Sequence, residues 1–281
     1  MCRKLMDGFL SSLLITVFLI TALGLLTACT PAADRPAQTV APAANRLRVG
    51  VSTHAPPLIF KEGDAYVGLE ADFARGLAEY LGKSLRFVEL NWEDQIPALL
   101  ENRIDIIMSG MSITALREIR IAFSKPYFKS GQMAMVRNED FYLFKTGFFS
   151  IKSGSGIGVV KGTTGEYFVD RFFTGYKRIA FPNSEAAVKA LREKKIDLFI
   201  HDAPIILYLA AENESRDLTP IYSLFTEELL AWGLRKQDEG LLKAANDYLM
   251  SIDRSGRLQT LIQRWIPFTQ KIQAPAKGSQ N

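Results

Sequence analysis

Cysteine and histidine are scarce in this chain of 281 residues, which has two of each: Cys2, Cys29, His54 and His201. A metal centre needs several such ligands close together, so no metal site is expected and no cofactor is implied. Neither cysteine lies in the part that reads as folded, which excludes an internal disulfide framework. A basic tract is missing too. Lys and Arg total 34 against 30 Asp and Glu and are spread along the chain, so nucleic acid is not an expected partner. What is present, 48% apolar and 23% charged residues, is the composition of a globular protein.

The first residues differ from all that follow. Arg3 and Lys4 precede an apolar run from Phe9 to Leu26. A run of about 18 apolar residues is just long enough to span a bilayer, but this one ends in Leu26-Thr27-Ala28-Cys29, which resembles the bacterial lipobox. Residues 1–28 are therefore expected to be a lipoprotein signal peptide and Cys29 a lipidated mature N-terminus. Residues 29–46, rich in Ala and Pro, read as a flexible tether. The expected location is extracytoplasmic, on a bacterial membrane through the lipid.

An internal repeat organises the rest. Ala98-Leu99-Leu100-Glu101-Asn102-Arg103-Ile104-Asp105-Ile106-Ile107-Met108 returns as Ala190-Leu191-Arg192-Glu193-Lys194-Lys195-Ile196-Asp197-Leu198-Phe199-Ile200. Each copy reads as the end of a helix, a turn and a buried strand, in β-α-β-α-β surroundings. The fold class is therefore α/β, with two lobes joined by two chain crossings. The crossings are expected near Met133–Val136 and Leu230–Leu234. Residues 47–136 with 231–268 would form one lobe, 137–230 the other, and 269–281 a tail. Ligands of open α/β sheets bind beyond the carboxyl ends of the strands, so Ser109-Gly110-Met111-Ser112 and His201-Asp202-Ala203-Pro204 should face each other across a cleft.

These segments, with Leu47-Arg48-Val49-Gly50-Val51, Gly68-Leu69-Glu70-Ala71-Asp72, Ser109–Thr114 followed by Arg117, Phe123-Ser124-Lys125-Pro126-Tyr127 and Gly162-Thr163-Thr164, resemble the bacterial extracellular solute-binding proteins of the polar amino acid type. The pattern is similar to the glutamine-binding and lysine/arginine/ornithine-binding proteins. The resemblance implies a type II periplasmic binding protein fold that closes on an amino-acid-like ligand and delivers it to an ABC transporter permease, working as a monomer.

It also implies a ligand site. Arg117 would grip the ligand carboxylate with its planar fork, helped by Ser112 and backbone N–H groups near Gly110, with Ser109 and Met111 also among the ligand-binding residues. Gly162, Thr163 and Thr164 would offer a helix N-terminus. Asp202, beside His201, would accept the ligand ammonium, and Trp92 would form a cleft wall. Structural alternatives are a helix cap for Ser112 and for Asp202 and a core position for Trp92. Where many relatives carry an acidic residue and an aromatic before the Pro pair, this chain has Ser52 and Ala55, which leaves the ligand open.

Two other functions fit the same architecture. Cyclohexadienyl dehydratases resemble it and use a cleft glutamate as proton donor, a place Glu166 could fill. A ligand-sensing receptor partner is the other. The aromatic stretch Phe141-Tyr142-Leu143-Phe144 with Phe148 and Phe149 points only to lobe packing.

Overall fold

The computed structural model describes residues 45–144, 151, 153–213 and 217–267. The expectations for the leader, Cys29 and the tether up to residue 44, for Phe148 and Phe149, and for the tail 269–281 fall outside these residues, and Arg46, expected to end the tether, begins a strand. Within them, no helix is long and apolar enough to cross a membrane.

Two five-stranded sheets share one plan. In the first, Arg46–Val51 lies between Ser84–Glu89 and Ile106–Ile107, parallel to both. Gly233–Leu234 and Ala122–Phe123 then extend it antiparallel. In the second, Gly156–Val160 lies parallel between Lys177–Phe181 and Leu198–Asp202, and Gln132–Arg137 and Leu218–Ile221 follow antiparallel. The matched repeat segments thus end in equivalent strands. The fold is two α/β sheet-containing lobes.

The equivalence reaches individual hydrogen bonds. Asn102 and Lys194, matched in the repeat, both take the left-handed conformation, φ 58°. The aspartates just after them fix the neighbouring strand: Asp105 accepts the Arg48 N–H at 2.8 Å and Asp197 the Gly156 N–H at 2.7 Å. A buried arginine then closes each turn. Arg137 donates to the carbonyls of Leu191 and Ile196, and Arg235 to those of Leu99 and Ile104. Four backbone acceptors at helix ends and turns are satisfied in this way, where an unpaired buried carbonyl would destabilise the lobe.

Helices cover the sheets because their apolar residues recur at helical spacing. Leu69, Phe73 and Leu77 of helix Leu69–Tyr80 are fully buried against the first sheet. Helices Thr164–Phe172 and Ser184–Arg192 serve the second sheet, with Asn183 capping the latter through the Ala186 N–H. Glu239–Arg254 and Arg257–Trp265 return to pack on Leu69–Tyr80. Helix Phe141–Phe144 buries Phe144 in the second lobe's core and leaves Tyr142 exposed.

The crossings differ from expectation. Met133–Val136 is not a connector: Gln132–Arg137 is a fully buried strand inside the second sheet. Its unbroken apolar run signals a strand covered on both faces rather than a linker. Likewise Gly233–Leu234 lies within the first sheet. The chain passes between the sheets through Phe128–Ser130 and Glu228–Leu230, which pair antiparallel as a two-stranded ribbon.

Candidate ligand site

The carboxyl ends of both sheets open onto one cavity lined from both lobes. Trp92, Ser109, Gly110, Ser112 and Arg117 contribute from the first lobe. Thr163, Thr164, His201 and Asp202 contribute from the second. Met111 and Gly162 do not line it. Met111 is buried with Ala98, Leu99 and Ile107 in the first lobe's core, because residues alternate sides as the chain leaves the strand. Gly162 faces the neighbouring groove and supplies its carbonyl to the cleft edge.

Arg117 stands on the short helix Ala115–Arg120, whose Thr114 cap accepts the Arg117 N–H at 3.3 Å. Its side chain is buried, donates to the Ser112 carbonyl at 2.8 Å and the Gly162 carbonyl at 3.4 Å, and lies 5.3 Å from the Trp92 ring centre. Among the described residues no carboxylate forms an ion pair with it. Burial lowers the guanidinium pKa from its usual value, while Asp202, Tyr167 and Glu228 act to raise it. A buried guanidinium with only neutral carbonyl partners is a poised anion site.

Asp202 ends the strand Leu198–Asp202 at the N-cap position of helix Ala203–Glu212, yet its side chain makes no capping bond. The carboxylate instead accepts from the Gln132 amide. Burial and the nearby Glu228 charge push its pKa up to about 8, against the opposing pull of Gln132 and Arg117. His201 accepts the Asp202 backbone N–H on Nδ1 at 2.7 Å, and burial pushes its pKa down to about 4. Its 3.9 Å separation from the Asp202 carboxylate is thus a contact of a neutral ring.

Other expected donors are already engaged. The Gly110 N–H is held by Glu70 Oε1 at 2.6 Å, so it is not free for a ligand carboxylate. Glu70 is fully buried, also accepts from Tyr127 and Trp232, and is pushed up to about 7 by burial against those three hydrogen bonds. Ser109 Oγ donates to Gln95 at 2.9 Å, and Ser112 Oγ to Glu228 at 2.5 Å. Thr163 is the cap of its helix, accepting the Glu166 N–H; the first N–H groups of that helix have no partner inside it.

Glu228 and Gln132 were not among the residues expected from sequence. Glu228 sits on the connecting ribbon and accepts from Ser112 of the first lobe, Thr164 of the second at 2.8 Å, Gln132 at 3.0 Å and Thr226 at 2.9 Å. No local pattern distinguishes it from a surface glutamate. Glu166, the candidate proton donor, does not line the cavity: it accepts the Gly162 N–H at 2.7 Å and pairs with Arg178.

The cleft is held shut at its rim. Trp92 Nε1 donates to the Gly162 carbonyl at 2.8 Å, Lys161 pairs with Glu93 at 3.1 Å and His54 with Glu185 at 3.1 Å.

Residues 47–268 match the bacterial extracellular solute-binding proteins, family 3. This chain belongs to that family. Among relatives of this solute-binding protein, the L-cystine-binding protein TcyJ of Escherichia coli K12 is 29% identical over 220 residues, covering 78% of the chain and 82% of the relative. The cyclohexadienyl dehydratase of Pseudomonas aeruginosa is 25% identical, covering 79% and 83%. Among solved structures, holo ArgBP from T. maritima aligns with a TM-score of 0.71 and 31% identity over 79% of this chain and 96% of that one. The ancestral amino acid-binding protein AncCDT-1, a precursor of cyclohexadienyl dehydratase, gives 0.74 and 30% over 79% and 96%.

Proposed function

We propose that this solute-binding protein captures an α-amino acid between its lobes, outside the cytoplasmic membrane, and hands it to an ABC transporter permease after hinge closure about the two-stranded ribbon. Arg117 holds the ligand carboxylate and Asp202 its ammonium, with Trp92 as a wall and Ser112, Thr163 and Thr164 around the headgroup. The observation that carries this is the buried, carboxylate-free Arg117 in the same cavity as Asp202. Relatives named for cystine, arginine, histidine and glutamine binding support it. The protein works as a monomer, tethered by a lipid on Cys29.

Binding rather than catalysis is favoured because Glu166 is committed to Arg178 outside the cavity. An enzymatic reading would rest on Asp202 instead, whose carboxyl, pushed up to about 8, can donate a proton at neutral pH. A thermal-shift screen of the L-amino acids separates the two, since any ligand of the native state raises the melting temperature. A rise with at least one amino acid supports capture and delivery. No rise with any amino acid, together with consumption of prephenate or arogenate, would overturn it.

A further inference from the structure

With Arg117 and Asp202 assigned to the headgroup, the remaining wall of the cavity offers no full charge to a ligand. His54 is exposed and directs its ring towards Glu185 at the rim. His201 is neutral, because an imidazole nitrogen that accepts a backbone N–H carries no proton; its proton sits on Nε2. The other contributors include Ser52, Ala55, Pro182, Asn183, Ser184 and Ile205, none of them ionisable. A ligand side chain bearing a charge would therefore be desolvated without a counter-ion, which costs several kcal/mol.

The wall is polar all the same, and each of its free groups can donate a hydrogen bond. Ser184 is 1% exposed and its Oγ has no hydrogen-bond partner among the described residues. His201 Nε2 makes no hydrogen bond among the described residues. Asn183 spends its Oδ1 on the Ala186 N–H at 2.9 Å, which leaves its amide NH2 to donate. A buried hydroxyl without a partner is rare in native proteins and points to a group that arrives with a ligand. An apolar side chain would leave it unsatisfied.

Resting on the amino-acid reading above, we propose that the cavity selects an α-amino acid whose side chain is uncharged and carries an amide or hydroxyl oxygen, received by Ser184 and His201. Arginine and lysine, which need an acidic partner, are excluded by Ser52 and its neutral neighbours. Glutamate is excluded because the donors bring no positive charge.

Calorimetric titration of the purified protein with L-glutamine, L-asparagine, L-threonine, L-arginine, L-lysine, L-glutamate and L-leucine tests this. One of the three neutral polar amino acids should bind at least about tenfold tighter than the other four, a ratio that one unpaired buried charge readily produces. Ser184→Ala should weaken that ligand about fivefold, the loss of one hydrogen bond, and leave L-leucine unchanged. Preference for a charged amino acid, or equal weakening of all ligands by Ser184→Ala, would overturn the selectivity while leaving amino-acid capture standing. Binding of no amino acid would overturn the reading beneath it as well.

Discussion

Trp92 of the first lobe donates its indole N–H to the carbonyl of Gly162 in the second at 2.8 Å, one of the contacts that tie the two walls of the cleft. The Arg117 guanidinium reaches the same carbonyl at 3.4 Å and lies over the Trp92 ring. In the proposed function, closure and ligand recognition therefore share residues. Trp92→Phe keeps an aromatic wall but removes the donor, so it should weaken ligand binding by about 2- to 12-fold. Small-angle scattering should show the variant less compact than the parent protein at equal, subsaturating ligand. Parent-like affinity would mean that the bond does not contribute to the closed state.

Asp202 sets the pH dependence. Its carboxyl is pushed up to about 8 in the empty site, but an ammonium ligand requires it ionised. Below pH 8 binding must expel a proton, so affinity should rise from pH 6 to 8, by up to about tenfold per unit, and then level off. Calorimetry in buffers of different ionisation enthalpy should register close to one proton released at pH 7. Glu228→Gln removes the neighbouring charge and should move the plateau to lower pH.

Glu70 bears on stability with the opposite slope. Its pKa is raised from 4.5 to about 7, so its contribution is fully present below about 4.5 and lost as pH climbs through 7. Melting temperature should fall over that window, by the equivalent of up to about 3 kcal/mol. Glu70→Gln stays neutral and should flatten this part of the slope, leaving the Asp202 part that extends to about 8. It should also cost about 1–3 kcal/mol at pH 5, since an amide NH2 would face one of the three donors. An unchanged slope would remove Glu70 as the cause.

The anchor rests on Leu26-Thr27-Ala28-Cys29. Mass spectrometry of protein from membranes should find a mature chain beginning at a diacylglycerol-bearing Cys29, and Cys29→Ser should leave the precursor uncleaved. An unmodified N-terminus elsewhere would exclude the lipid.

Much of the fold could be read from the repeat, because a strand buried on both faces leaves an unbroken apolar run and both copies place an Ile-Asp turn before it. The arginines that complete those turns, Arg137 and Arg235, could not, since one ends and the other directly follows an antiparallel strand remote in sequence from the helix end it caps. The crossing is not legible in the sequence for a related reason: Met133–Val136 carries the signature of a core strand, whereas Phe128–Ser130 has no distinct pattern. In the site, Arg117 and Asp202 are picked out by the family resemblance, with Asp202 at the end of one matched strand and Arg117 on the helix after the other. Glu228 and Ser184 could not, because their significance lies in partners gained or lacking only after folding. Gly110 lines the cavity, and nothing local in the sequence shows that Glu70 takes its N–H.

The central claim is that Arg117 and Asp202 hold opposite ends of one amino-acid headgroup. Calorimetry of Arg117→Ala and Asp202→Asn with the ligand found by screening, its α-carboxamide and its desamino analogue tests it as two double-mutant cycles. Each substitution should weaken the ligand by about 30-fold to several thousand-fold, with melting curves of folded protein. Arg117→Ala should lose discrimination against the amide, and Asp202→Asn discrimination against the desamino analogue. Parent-like affinity in both folded variants would contradict the account.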